Sequence, residues 1–108
     1  MNADLERSNL IDNMVSHLPA FRALIDITQE KLAETIGIGR QTYMAIESGK
    51  AKMRWDTFVT LSVIFSFNEN TKDMATMLHL SIDDVKNYLL FPSDKSIGDK
   101  NFSNAQNF

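Results

Sequence analysis

The chain has 108 residues, 44% of them hydrophobic, and no cysteine. That suffices for one small domain with a core. It excludes a disulfide framework, a thiol nucleophile and thiolate zinc sites. The net charge of −3 argues, taken alone, against a nucleic-acid partner, but its distribution argues the other way. Residues 28–54 carry Lys31, Arg40, Lys50, Lys52 and Arg54 against Glu30, Glu34 and Glu47, and are the only positive stretch. Local field, not total charge, decides phosphate attraction.

The first residues, MNADLERSNLIDN, are acidic and lack an apolar centre, which is unlike a signal peptide. Leu10, Ile11, Met14, Val15 and Leu18 fall on one side of a helical wheel and predict a first helix. Pro19 predicts a break and a restart, because proline suits the first turn of a helix. A second helix to about Ile25 then places Phe21, Leu24 and Ile25 on one face.

From Thr28 the pattern sharpens. Thr28 is a candidate helix cap, and Ile27 with Leu32 stands at the positions of a hydrophobic staple. The reciprocal capping box is missing, since the third helical position is Lys31. Leu32, Ala33 and Ile36 form the buried stripe, and Gly37 ends the helix where a left-handed backbone suits glycine. Ile38 plugs the turn and Gly39 caps the next helix, from about Arg40 to Ser48. That helix has two faces. Tyr43, Ile46 and Glu47 point inward; Arg40, Gln41, Met44, Ala45 and Ser48 point outward.

After Gly49 and the basic stretch Lys50–Arg54 comes WDTFVTLSVIFSF, residues 55–67. Its β-branched content would also suit a strand, but its length and its helical neighbours favour a helix. With Thr60, Ser62 and Ser66 inside, it falls far short of the ~20 apolar residues that span a bilayer. A soluble, cytoplasmic protein is expected. Thr71–Leu80 and Ser81–Leu90 read as two short helices, with Met74, Met77 and Leu78 on one stripe and Val85, Tyr88 and Leu89 on the other. Ser81 and Asp84 give a capping signal. Pro92 marks the end of the ordered part, and the polar residues 93–108 are expected to be disordered or ordered by a partner.

Pro19 to about Phe67 resembles the Cro/C1-type, or XRE, helix-turn-helix family. The resemblance rests on TQEKLA at Thr28–Ala33, IGIGRQT at Ile36–Thr42 and IESGK at Ile46–Lys50, in that order and spacing. It implies an all-α, lambda-repressor-like five-helix DNA-binding domain, here with additional N- and C-terminal helices. It also implies that the second helix of the pair enters the major groove of double-stranded DNA, and that dimers read half-sites ~34 Å apart.

Carried over by position, the resemblance puts Arg40, Gln41, Met44 and Ala45 against base edges. It puts Gln29, Thr42, Ser48, Lys50, Lys52 and Arg54 against the DNA backbone. Arg22 and Glu47 match a family ion pair. The chain departs from the family pattern at Gly39, where serine or threonine is usual. Tyr43 replaces an aliphatic residue, Met53 replaces a common proline, and Arg54 takes a capping position.

Little points to catalysis. His17 and His79 lack metal-ligand spacing, and Ser48, Ser62, Ser66 and Ser81 lack a nucleophile's surroundings. There is no P-loop, paired catalytic carboxylates or glycine-rich dinucleotide turn. No enzyme activity, cofactor or metal is expected. The domain expectation is a helix-turn-helix core with its N-terminal helix over 1–68, a helical extension for dimerisation over 69–91, and a flexible tail over 92–108. The functional expectation is a transcriptional regulator, a repressor acting as a homodimer through apolar residues of 55–91, with a possible protein partner at 69–108. The alternative is an antitoxin-like or phage-type protein-interaction module on the same fold.

Overall fold

The computed structural model describes residues 3–90. The expectations for Pro92 and the tail lie outside them. The described residues are all helical, without strands: α1 (Ala3–Ile25), α2 (Gln29–Ile36), α3 (Arg40–Glu47), α4 (Trp55–Phe67), α5 (Lys72–Met77), α6 (Ile82–Val85) and a 3-10 turn at Lys86–Tyr88. The all-α class holds.

The break expected at Pro19 is absent, and the last two helices are shorter than expected. α1 runs unbroken through Pro19. Proline in a helix interior loses one backbone bond and crowds the preceding turn, a cost of ~3 kcal/mol. Here Pro19 is exposed, so its ring takes no space in the core. Met14, Leu18 and Phe21, all buried on the opposite face, hold both halves on one line. Asp4 and Glu6 in the first turn and Arg22 in the last complement the helix dipole.

Four helices end the same way. A residue with positive φ follows each, and two N–H groups fold back onto the last turn, which is the Schellman pattern. Gly37 (φ 82°) and Gly49 (φ 85°) close α2 and α3. Asp26 (φ 57°) and His79 (φ 61°) do the same for α1 and α5 without glycine. In each, a long bond spans the turn: Ile27 N to Arg22 O, Ile38 N to Ala33 O, Lys50 N to Ala45 O and Leu80 N to Ala75 O. The His79 turn explains why α5 stops at Met77 rather than running to Leu80.

A single core links every helix. Phe21 of α1 stacks on Phe65 of α4 with ring centroids 4.2 Å apart, and Leu32, Tyr43, Ile46, Phe58, Leu61, Ala75, Leu80 and Val85 complete it. Polar ties close the seams. Thr71 Oγ1 donates to Phe65 O (2.8 Å), Ile82 N donates to Ser66 Oγ (2.8 Å), and Asn13 Nδ2 donates to Leu78 O (3.0 Å). Ser81 and Asp84 form a full capping box on α6.

Three side chains expected on inward stripes lie outside. Leu24, Met77 and Leu89 are exposed, Met77 by 70%. Each sits in the last turn of its helix or just beyond it, where the chain leaves the core. In α5 the inward position belongs to the small Ala75 instead, which is fully buried.

Candidate nucleic-acid interface

α2 and α3 are set at an angle by the short turn Gly37–Ile38–Gly39. α2 begins as its sequence dictates: the Thr28 side chain accepts from Lys31 N at 3.0 Å. It ends on Gly37, whose positive φ strains any L side chain. Gly39 differs in kind. Its φ is −72°, no side chain caps α3, and a Cβ there would meet only Thr42 Oγ1, at 3.9 Å. The backbone at Gly39 would accept the serine or threonine that is usual there.

The inward face of α3 converges on one carboxylate. Arg22 Nε donates to Glu47 Oε1 (3.0 Å) and Arg22 Nη2 to Oε2 (2.8 Å), a two-pronged ion pair between α1 and α3. Tyr43 Oη donates to the same Oε1 at 2.6 Å. The remaining prong, Arg22 Nη1, donates to Ile27 O (3.2 Å) in the segment leading into α2. The Glu47 side chain is 9% exposed and that of Arg22 20%.

Burial would raise the Glu47 carboxyl, but the hydrogen bonds from Arg22 and Tyr43 outweigh it and hold it below its ordinary value. The bond to Glu47 raises the Arg22 guanidinium. Burial first, and then the bond to Glu47, push the Tyr43 phenol well above its usual range. The part played by Tyr43 was missed at the level of sequence. Its spacing of four from Glu47 placed both on one helix face, and that was the available signal.

The outward face carries the other site residues. Arg40, Gln41, Thr42 and Ser48 are exposed, while Met44 and Ala45 are half-buried. Gln41, Met44, Ala45, Ser48 and Lys50 line one shallow groove of about 290 Å³, so the outward stripe and the first basic residue after it share a surface. Arg40 lies apart, in a hollow with Glu30 and Glu34 of α2. Ser48 Oγ donates to Ala45 O (3.1 Å). Gln29, half-buried, opens α2.

Lys50 and Lys52 are exposed. Arg54 is exposed too, but its guanidinium is engaged: Nε and Nη2 donate to the Asp56 carboxylate at 3.1 and 3.2 Å. Each group stabilises the charge of the other, raising Arg54 and lowering Asp56.

This arrangement is a helix-turn-helix: two short helices, a tight glycine-bounded turn, a buried face anchored to a preceding helix and a polar face turned out. The helix-turn-helix family model matches residues 20–54. The match covers about a third of the chain. An uncharacterized HTH-type transcriptional regulator of Methanocaldococcus jannaschii is 51% identical over 37 residues, which are 34% of this chain and 56% of that protein. The similarity thus spans little more than half the length of that relative. No solved structure matches the chain. Among the described residues, no helix is long and apolar enough to cross a membrane.

Proposed function

We propose that the chain binds double-stranded DNA sequence-specifically and regulates transcription, as a repressor, with α3 in the major groove. The observation that carries this is the division of α3. Its inward face is locked by Tyr43, Ile46 and Glu47, leaving Arg40, Gln41, Met44 and Ala45 on the face turned away from α1. Arginine pairs in bidentate fashion with guanine and glutamine with adenine, and short apolar side chains suit thymine methyls. Gln29, Thr42, Ser48, Lys50, Lys52 and Arg54 set the register on phosphates. The reading includes action in the cytoplasm, with no enzymatic activity or cofactor.

The partner surface is a second copy of the chain. Phe67 and Met77, 74% and 70% exposed, lie in the region after the helix-turn-helix and leave apolar area in water. Residues 1–68 then form the reading unit and 69–91 the pairing extension. A purely monomeric chain in sedimentation at high micromolar concentration, without DNA, would remove the dimer from the proposal.

Selection of bound duplexes from a random pool tests the function. The wild-type chain should enrich one motif, and Gln41→Ala should relax a single base pair of it, with a loss of ~1–3 kcal/mol in discrimination there. No enriched motif, together with capture of a protein partner that persists in high salt, would favour the protein-interaction module instead, because DNA binding weakens steeply as salt rises.

A further inference from the structure

Tyr43 departs from the aliphatic residue usual at its position, and its hydroxyl lands on the one carboxylate that joins three elements. Glu47 Oε1 accepts from both Tyr43 Oη (2.6 Å) and Arg22 Nε (3.0 Å), while Oε2 takes Arg22 Nη2 (2.8 Å). A glutamate side chain has three rotatable bonds, and its terminal torsion is broad and soft. An arginine fork orients the carboxylate relative to the guanidinium, but both long side chains can still swing together relative to α3. A second donor, fixed on the same helix four residues earlier, prevents that. The Tyr43 ring is 1% exposed and wedged in the core, so its hydroxyl is a rigid point of reference.

We propose that Tyr43 is a positioning residue for DNA reading. Its hydroxyl fixes the Glu47 carboxylate, the carboxylate fixes the Arg22 fork, and Arg22 Nη1 fixes Ile27 O, one residue before the cap of α2. The start of α2, with Gln29, and the outer face of α3, with Arg40 and Gln41, are thereby held in one relative pose. Base readout depends on such placement far more than on folding itself, since bidentate hydrogen bonds fail within a fraction of an ångström. The inference rests on the DNA-reading function proposed above.

The variant is Tyr43→Phe in the full chain, compared with wild type on the selected duplex and on a duplex altered at the base pair read by Gln41. Circular dichroism fixes a temperature at which both proteins are folded. Partial unfolding would weaken both duplexes by the same factor. Loss of placement lowers the ratio of the two affinities instead, and the expected fall is about fivefold, a part of what one bidentate pair supplies. Tyr43→Leu, which restores the aliphatic side chain and also lacks the hydroxyl, should lower the ratio alike. In Tyr43→Phe combined with Gln41→Ala, the two losses of discrimination should not multiply, because they act through one contact.

An unchanged ratio in Tyr43→Phe overturns the inference while leaving the DNA-binding function standing. So does failure of both single variants to fold, since the hydroxyl would then serve stability. A wild-type chain with no preference between the two duplexes overturns the function and the inference together.

Discussion

Consider replacing Arg22 by alanine. The change strips the Glu47 carboxylate of two N–H donors, at 3.0 and 2.8 Å, and frees Ile27 O from a third. The Tyr43 hydroxyl and a weaker contribution from Gln29 remain, and neither carries a charge, for a side chain that is 9% exposed. Breaking a buried pair by removing one partner costs ~3–5 kcal/mol, because the other charge stays buried and uncompensated. Arg22 is itself 20% exposed, so water reaches the gap and the lower end, about 3 kcal/mol, applies. For a domain this small, 1 kcal/mol moves the melting midpoint by ~4–8 °C, so the midpoint should fall by roughly 12–24 °C. Glu47→Ala should fall similarly, leaving a buried guanidinium short of its partner. The double variant should lose much less than the two falls added, because neither charge is then stranded. Thermal melts at neutral pH and constant salt measure all three. Unchanged midpoints in both single variants, or a double variant whose loss equals their sum, would refute the idea that one buried ion pair holds α3 against α1.

The same pair predicts a pH response. Glu47 is held below its ordinary carboxyl value, so its contribution is present in full above the unfolded value of ~4.3 and is lost as pH falls through the lower folded value. Melting midpoints of the wild type should therefore drop in acid. In Arg22→Ala burial dominates and raises the carboxyl, so the stability deficit should narrow as the pH falls from neutrality; a deficit that stays constant contradicts this. For the DNA backbone contacts, Lys50→Ala and Lys52→Ala should each reduce the slope of log affinity against log salt by about one. Arg54→Ala should reduce it by less, because Asp56 already holds that guanidinium, and equal effects from all three would count against the pairing. The two glycines of the turn should behave oppositely. Gly37→Ala, at φ 82°, should destabilise by ~1 kcal/mol or more, whereas Gly39→Ser should be neutral or stabilising by a few tenths of a kcal/mol. Denaturant midpoints of the two variants decide it.

The helix-turn-helix was legible because its signals are local and mutually consistent. Thr28 caps, Gly37 stops, and Leu32 and Ala33 recur at helical spacing, so each choice supports the next. The Arg22–Glu47 pair was foreseen through family resemblance, and its geometry is now explicit. What sequence did not disclose depends on packing between distant segments. Pro19 reads as a break unless one knows that Met14, Leu18 and Phe21 are clamped on the far side of the same helix. Asp26 and His79 take a left-handed conformation that glycine or asparagine would have announced. Met77 and Leu24 satisfy helical periodicity, yet their helices leave the core before burying them. Arg54 reads as a free cation until Asp56 is seen beside it.

The long first helix gives these parts a common frame. Near its start, Glu6 accepts from Tyr88 Oη at 2.9 Å, and the Arg7 guanidinium lies 5.3 Å from the centre of the Trp55 ring, which in turn meets Tyr88 edge-on. In its middle, Asn13 reaches the carbonyl of Leu78. Near its end, Phe21 stacks on Phe65 and Arg22 grips Glu47. The N-terminal half also forms one wall of a cleft of about 470 Å³ whose other wall is the stretch from Gly49 to Met53, with Lys50 and Lys52. One rigid element therefore touches the closing turn after α6, the start of α4, the basic stretch and the inward face of α3. A kink at Pro19 would uncouple these contacts into two sets. An unbroken helix keeps them in register, so that the proposed pairing surface, from the end of α4 onward, and the outward stripe of α3 are carried on the same spine, and a second copy docked on one would fix the direction in which the other points.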